Sequence, residues 1–172
     1  MNGKLIISNV WRFLLLMLLQ VLVFNNIYLG GYINPCIYVL FIAMLPTSIG
    51  KLWPLVIAFF CGLSIDVSSN MLGFHTFACV LTAFARVMWF ERIIMRDREE
   101  AILTPSLREG SYQQFALYWF LLLIVFYVAF YGTLVFSFRE LPQILLSTLL
   151  SSVVTWILGI IYQTLFIKKT EL

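Results

Sequence analysis

Long apolar runs alternate with short polar breaks along almost the whole chain. The runs cover about 10–28, 32–49, 52–68, 74–95, 115–136 and 142–167. Because a helix rises about 1.5 Å per residue, about 20 apolar residues cross a hydrocarbon layer of about 30 Å. The pattern predicts an all-α membrane bundle of about six transmembrane helices, in one domain over residues 1–172.

The breaks carry residues that start or end helices. Pro35 and Pro54 fall in the first turns of the second and third predicted helices, where a missing amide hydrogen removes no helical bond. Asn25 and Asn26 stand where they can cap the far end of the first helix. The third run is short for a bilayer, so its helix is expected to continue through Ser68, to tilt, or to end in a polar recess within the bundle.

Composition excludes a soluble globular domain. The chain is 62% hydrophobic and only 11% charged, with a mean hydropathy of +0.98. A soluble domain carries about 25% charged residues. The runs also lack the alternation of a transmembrane barrel, and helices are the remaining way to satisfy every backbone group inside a bilayer.

The basic residues predict the orientation, because cytoplasmic loops are enriched in lysine and arginine. A cytoplasmic N-terminus puts nine of them inside and Arg139 alone outside, with Arg86 counted as intramembrane. Both termini and the polar loop over 96–113 are therefore predicted to be cytoplasmic. The lysines and arginines are scattered among the polar breaks and do not cluster on one face, so they give no indication of nucleic-acid binding. The inner nine are Lys4, Arg12, Lys51, Arg92, Arg96, Arg98, Arg108, Lys168 and Lys169.

Residues that could support catalysis or bind metal are few. Cys36, Cys61 and Cys79 lie in different apolar runs without the spacing of metal ligands or a redox pair. The chain has one histidine, and neither a zinc-binding HExxH pair nor a GxSxG nucleophile elbow is present. We therefore expect a protein that is not an enzyme and has no cofactor or metal.

Three polar residues near the third and fourth helices are the functional candidates. Asp66 is the only acidic residue among the first 90, and an acid in a membrane segment is costly unless it has a role or a partner. It could pair with His75, whereas Arg86 lies about 18 Å along the fourth helix, which strains a direct ion pair. Alternatively, Asp66 caps the end of a helix near interfacial water, and His75 is an ordinary interfacial residue. Arg86 then either points into the bundle or extends its charged group toward the cytoplasmic interface.

Small residues recur every fourth position on the sixth helix and predict one close-packed stripe. Packing within the bundle is preferred over a seam with another protein. The fifth helix is strongly aromatic, and its rings could face lipid, the core or a partner helix. The stripe comprises Ser147, Ser151, Thr155 and Gly159.

The stretch GLSIDVSSNMLGFH, followed by an apolar helix, resembles the segment that identifies MreD rod shape-determining proteins. The matching positions are Gly62, Leu63, Asp66 and Gly73. The resemblance implies a non-enzymatic, multi-pass protein of the bacterial inner membrane that binds the single-pass protein MreC. Through that contact it would help couple MreB filaments to the SEDS glycosyltransferase and the class B penicillin-binding protein that extend peptidoglycan and maintain rod shape.

The MreD family is also thought to share its fold with the substrate-binding subunits of energy-coupling-factor vitamin transporters, which gives an alternative function. Asp66, His75, Asn25, Asn26 and Asn34 are all predicted at the outer side, where a vitamin pocket would lie. Such subunits generally carry an AxxxA pattern on the first helix for docking. Here that helix reads WRFLLLMLLQVLVF, so the pattern is absent.

Overall fold

The computed structural model describes residues 3–26, 33–71, 73–96, 112–134 and 140–166, and the interior of the predicted loop over 96–113 lies outside them. Short 3-10 turns at Phe24–Asn26 and Thr47–Ile49 follow the first and second helices. Within the described residues the chain forms six helices, numbered in order as α1 (Gly3–Leu22), α2 (Val39–Ala43), α3 (Leu52–Ser69), α4 (Phe74–Arg96), α5 (Tyr112–Leu134) and α6 (Leu141–Phe166).

Four of the described stretches are long and apolar enough to cross a membrane. They are Ile7–Asn26, Leu52–Ser69, Gln113–Leu134 and Leu141–Leu165. In α4 the apolar helical stretch is shorter, Phe74–Phe90. The prediction of an all-α protein with several membrane-spanning helices is confirmed at this level.

The second predicted helix is the main departure from the sequence-based picture. A continuous helix over 32–49 is wrong, because α2 has only five residues, Val39–Ala43. Every residue from 35 to 46 is nevertheless buried. We call residues 33–46 the core segment. The apolar pattern could not separate a helix from a buried irregular chain, because both bury all of their side chains.

The core segment runs lengthwise through the bundle. At one end, Cys36 lies beside Tyr127 of α5, and further on Ala43 lies beside Tyr118 of the same helix. Nine residues separate those tyrosines, which is about 13 Å along α5. The chain therefore passes from the end of the bundle that holds Asp66, the Asp66 end, toward the end that holds Arg86, the Arg86 end.

Side chains of the surrounding helices replace the backbone hydrogen bonds that a helix would have made. Gln20 of α1 donates to the Pro35 carbonyl and accepts from the Ile37 amide, both at 2.9 Å. The Cys36 amide donates to Tyr127 Oη at 2.9 Å and to Thr155 Oγ1 at 3.3 Å. Irregular backbone at membrane depth is tolerated only where protein encloses and satisfies it, and this segment meets that condition.

The aromatic rings of α5 face the core rather than lipid. Phe126, Tyr127 and Phe130 are almost fully buried, and Phe126 and Phe130 stack with their planes 5° apart. Trp119 lies across Gly159 of α6, where an added Cβ would come within 2.5 Å of the indole nitrogen. The absence of a side chain at Gly159 is thus what lets α5 and α6 pack closely.

Candidate functional site

Asp66 caps the start of α4 from the end of α3. Its Oδ1 accepts the His75 amide at 3.0 Å, and its Oδ2 accepts the Thr76 amide at 2.8 Å and the Thr76 hydroxyl at 2.5 Å. The first amides of a helix have no partner within the helix and carry a partial positive charge. The carboxylate, only 2% exposed, is therefore held by backbone and hydroxyl donors.

The turn between α3 and α4 is shaped so that Asp66 can reach those amides. Asn70 takes a left-handed conformation with φ of 53°, and the Met71 amide donates to the Asp66 carbonyl at 2.9 Å. Gly73, just before α4, has φ of 88°, a conformation that residues with a Cβ rarely adopt. A glycine at position 73 therefore suits the turn that leads into α4.

Gly62 lies one helical turn before Asp66, where α3 passes close to the start of α4. A Cβ at this position would come within 2.7 Å of the Thr76 amide nitrogen and 2.8 Å of the His75 carbonyl oxygen. Since both are backbone atoms, the helices would have to separate. Gly62, Asp66 and Gly73 thus form one unit that joins α3 to α4.

The ring of His75 is engaged elsewhere than with Asp66. Its Nδ1 lies 2.8 Å from the hydroxyl of Tyr38 in the core segment. The centre of its ring lies 4.5 Å from the centre of the Phe130 ring. The predicted pairing of Asp66 and His75 occurs through the His75 backbone amide instead of its side chain. His75 is buried rather than interfacial.

Arg86 is buried inside the bundle, near the middle of α4. Its guanidinium donates to the carbonyl of Leu45 and, at 3.5 Å, to that of Ala43. Tyr118 donates to the same Ala43 carbonyl at 3.0 Å, and the ring of Phe90 lies 5.1 Å from Arg86 Cζ. The carbonyls at the end of α2, which have no partner within a helix, thus accept hydrogen bonds from a cation. Arg86 and Asp66 bind different groups and do not form an ion pair.

The small-residue stripe of α6 faces the protein's own core. Ser151 Oγ accepts the Asn34 amide at 3.1 Å and lies 2.9 Å from Tyr131 Oη, while Thr155 binds Cys36 and Tyr127. Ser147 and Gly159 are also buried. These hydroxyls therefore hold the core segment, in line with the preference for packing within the bundle.

The asparagines at the Asp66 end also form internal contacts. Asn25 accepts from Gln20 at 2.9 Å and donates to Ser69 at 3.1 Å. The Asn26 amide donates to two carbonyls in the last turn of α1, at 3.0 and 3.1 Å, so Asn26 caps α1 as predicted. Asn34 uses its backbone amide and carbonyl to bind α6 and α5.

Sequence reasoning missed Gln20 and Tyr127, which bind the backbone of the core segment, and Tyr38, through which the segment contacts His75. Gln20 had a usable signal, since an amide side chain in the middle of an apolar helix needs a partner. The tyrosines had none, because a tyrosine can face lipid, interface or core. Among the described residues, no three His, Cys, Asp or Glu side chains come together as a metal-binding group.

The described residues thus form an all-α, multi-pass type of membrane protein with four candidate membrane spans, and its buried Asp66 and Arg86 bind backbone groups. Neither a family model, nor a curated protein, nor a solved structure matches the chain.

Proposed function

We propose that the protein is a non-enzymatic scaffold of the bacterial cell-elongation complex, embedded in the inner membrane. In this role it binds an MreC-like single-pass protein and helps couple MreB filaments to the SEDS glycosyltransferase and class B penicillin-binding protein. The proposal starts from the resemblance of Gly62, Leu63, Asp66 and Gly73 to the MreD segment. A multi-pass membrane protein is the class that this role requires.

The observation that carries the proposal is the structural unity of those four residues. Gly62 permits close packing of α3 on α4, Asp66 caps α4, and Gly73 makes the turn. Leu63 is the remaining member, and its side chain is 40% exposed on the outer face of α3. The motif therefore fixes a rigid helix pair and presents an apolar side chain outward, which suits binding of another membrane helix.

Leu63 belongs to a continuous outward row on α3. Exposed apolar side chains at i, i+3, i+7 and i+11 lie on one side of a helix. We call this row the α3 stripe, and we propose that it contacts the partner helix. It comprises Val56, Phe59, Leu63 and Val67, each between 40% and 72% exposed.

The vitamin-transport alternative is less well supported by the contacts. It needs polar groups that line an outward-facing pocket and bind a small molecule. Asp66, His75, Asn25 and Asn26 all make hydrogen bonds within the fold instead. The core segment also fills the centre of the bundle at this end. We therefore favour the scaffold.

The test is co-purification of the full chain with an MreC-like protein, after co-expression and extraction in a mild detergent. Leu63→Trp places a bulky ring on the α3 stripe and should lower the amount of retained partner several-fold. Leu149→Trp is the matched control, because Leu149 is 53% exposed on α6, away from the stripe. It should retain as much partner as the unaltered chain.

Two results would contradict the proposal. One is that the unaltered chain retains no MreC-like protein. The other is that the purified protein carries a vitamin-sized molecule that native mass spectrometry detects. Equal loss of the partner in both tryptophan variants would reject the α3 stripe as the contact surface, but it would leave the scaffold role itself in place. Restoration of rod shape in a host that lacks its own MreD gives an independent readout.

The proposed orientation places the Asp66 end outside and both termini in the cytoplasm. Arg98→Cys should then escape a membrane-impermeant maleimide in intact cells and react after the membrane is opened. Labelling in intact cells would reverse the orientation.

A further inference from the structure

An apolar groove of about 330 Å³ lies between α1 and α3, with the core segment as its third wall. Asn9 is the one polar residue in its lining. α1 is the least buried of the four long apolar helices, so the groove lies beside the helix that packs least against the rest of the protein. The main apolar residues of the lining are Val10, Phe13, Phe41, Ile57 and Phe60.

The groove occupies the depth of a single bilayer leaflet. The lining reaches from Ile49, just before α3 begins at Leu52, to Cys61 on α3. Leu52 and Cys61 are nine residues apart, which is about 13 Å of helix. Half of a hydrocarbon layer is about 15 Å, so the groove is about as deep as one leaflet.

Two cations are next to lining residues of the groove, one by a hydrogen bond and one by its position in the sequence. Arg12 donates to Asn9 Oδ1 at 3.4 Å, and Asn9 is part of the lining. Lys51 immediately precedes α3 and follows the lining residue Ile49 by two positions. An apolar slot with cations beside it matches the chemistry of an anionic lipid.

We propose that this groove binds an acyl chain of an anionic phospholipid, with the lipid phosphate at Arg12 and Lys51. A partner helix is too large for it, because a helix about 10 Å wide needs about 1,000 Å³ over the same depth. The lipid tail fills the gap and ties α1 to α3. This inference needs only that the chain lies in a membrane, so it stands apart from the scaffold role.

The test places the full chain in vesicles of phosphatidylcholine with a small fraction of phosphatidylglycerol that carries a photoreactive group on its acyl chain. After irradiation, mass spectrometry maps the labelled positions. Labelling on the groove sides of α1 and α3 should exceed that on the outward face of α6 several-fold. Uniform labelling of all lipid-facing helices would overturn the proposal, and this measurement requires no variant.

A matched pair of variants isolates the groove. Val10 and Leu14 are each 52% exposed on α1, but only Val10 lines the groove. Val10→Trp should fill the groove and reduce the labelling of α3 several-fold, whereas Leu14→Trp should leave it unchanged. Equal labelling in the two variants would mean that the label reports ordinary surrounding lipid.

The headgroup part has its own test. Photoreactive phosphatidylcholine should label the groove several-fold less than the phosphatidylglycerol probe, and Lys51→Gln should reduce that difference. Equal labelling by both probes in the unaltered chain would overturn the assignment of the phosphate to Arg12 and Lys51. If an added MreC-like protein abolished groove labelling by direct contact, a protein would be the occupant and the lipid proposal would be wrong.

Discussion

Asp66 and Arg86 are both buried charges, one on α3 next to the start of α4 and one near the middle of α4, and they are stabilised in opposite ways. Asp66 accepts hydrogen bonds from the first amides of a regular helix. Arg86 donates to carbonyls that are left where a short helix stops. Each charge is thus matched to backbone groups of the opposite polarity rather than to the other charge.

The two sites differ in how far each charged residue lies from its own partners along the chain. Asp66 binds residues nine and ten positions away, across a single turn. Arg86 binds residues 41 and 43 positions away, in a segment that crosses the bundle. A charge inside a membrane therefore does not by itself indicate catalysis or an ion pair, because its partner can be a backbone group that has no hydrogen bond within a helix.

The largest effect is expected from removal of the cation. Arg86→Met leaves the Leu45 carbonyl buried and unpaired, while the Ala43 carbonyl keeps Tyr118. Loss of bonds to a charged group costs about 3 kcal/mol of unfolding free energy. Titration with dodecyl sulfate in mixed micelles, followed by tryptophan fluorescence, measures it. Arg86→Lys keeps the charge and should lose less than half as much; equal losses would show that the charge does not matter.

Removal of the anion should have the next largest effect. Asp66→Leu leaves the amides of His75 and Thr76 unpaired, which should lower the unfolding free energy by about 2 kcal/mol. Asp66→Asn keeps one acceptor and should lose about half of that. If both variants were as stable as the unaltered chain in the same titration, the capping role would be wrong.

Substitution of Gly62 tests the close approach that allows Asp66 to reach α4. Gly62→Ala forces α3 away from the Thr76 backbone and should cost about 1.5 kcal/mol. Gly132→Ala in α5 is the matched control, because nothing lies within 4 Å of the added Cβ. Alanine favours the helix by about 0.5–1 kcal/mol there, so the two substitutions should shift the thermal midpoint in opposite directions.

The smallest expected effect is the coupling between the two charges. His75 and Arg86 are 11 residues apart on α4, about 16 Å, and the two charges share no partner. A double-mutant cycle with Asp66→Asn and Arg86→Lys should therefore give a coupling below about 0.5 kcal/mol. A coupling above about 1 kcal/mol would mean that the charges interact and that the comparison above is incomplete.

The two sites were not equally predictable from sequence. The capping role of Asp66 was among the alternatives, because a carboxylate close to the first turn of a predicted helix has a local reason to be there. The side-chain partner of His75 was not predictable, since Tyr38 belongs to a segment expected to be helical. The carbonyl partners of Arg86 were missed for the same reason, because an intact helix would have left few carbonyls free.

The uninterrupted apolar runs by themselves determined that the chain forms membrane-spanning helices, since burial of apolar side chains in a bilayer needs no tertiary partner. The turn residues Asn70 and Gly73 acted through local backbone conformation in the same way. Only the tertiary structure decided that residues 33–46 form no continuous helix, because part of their backbone is satisfied by side chains as far as 119 positions away. A pattern of hydrophobicity records which side chains avoid water, and it does not record where the backbone finds its hydrogen bonds.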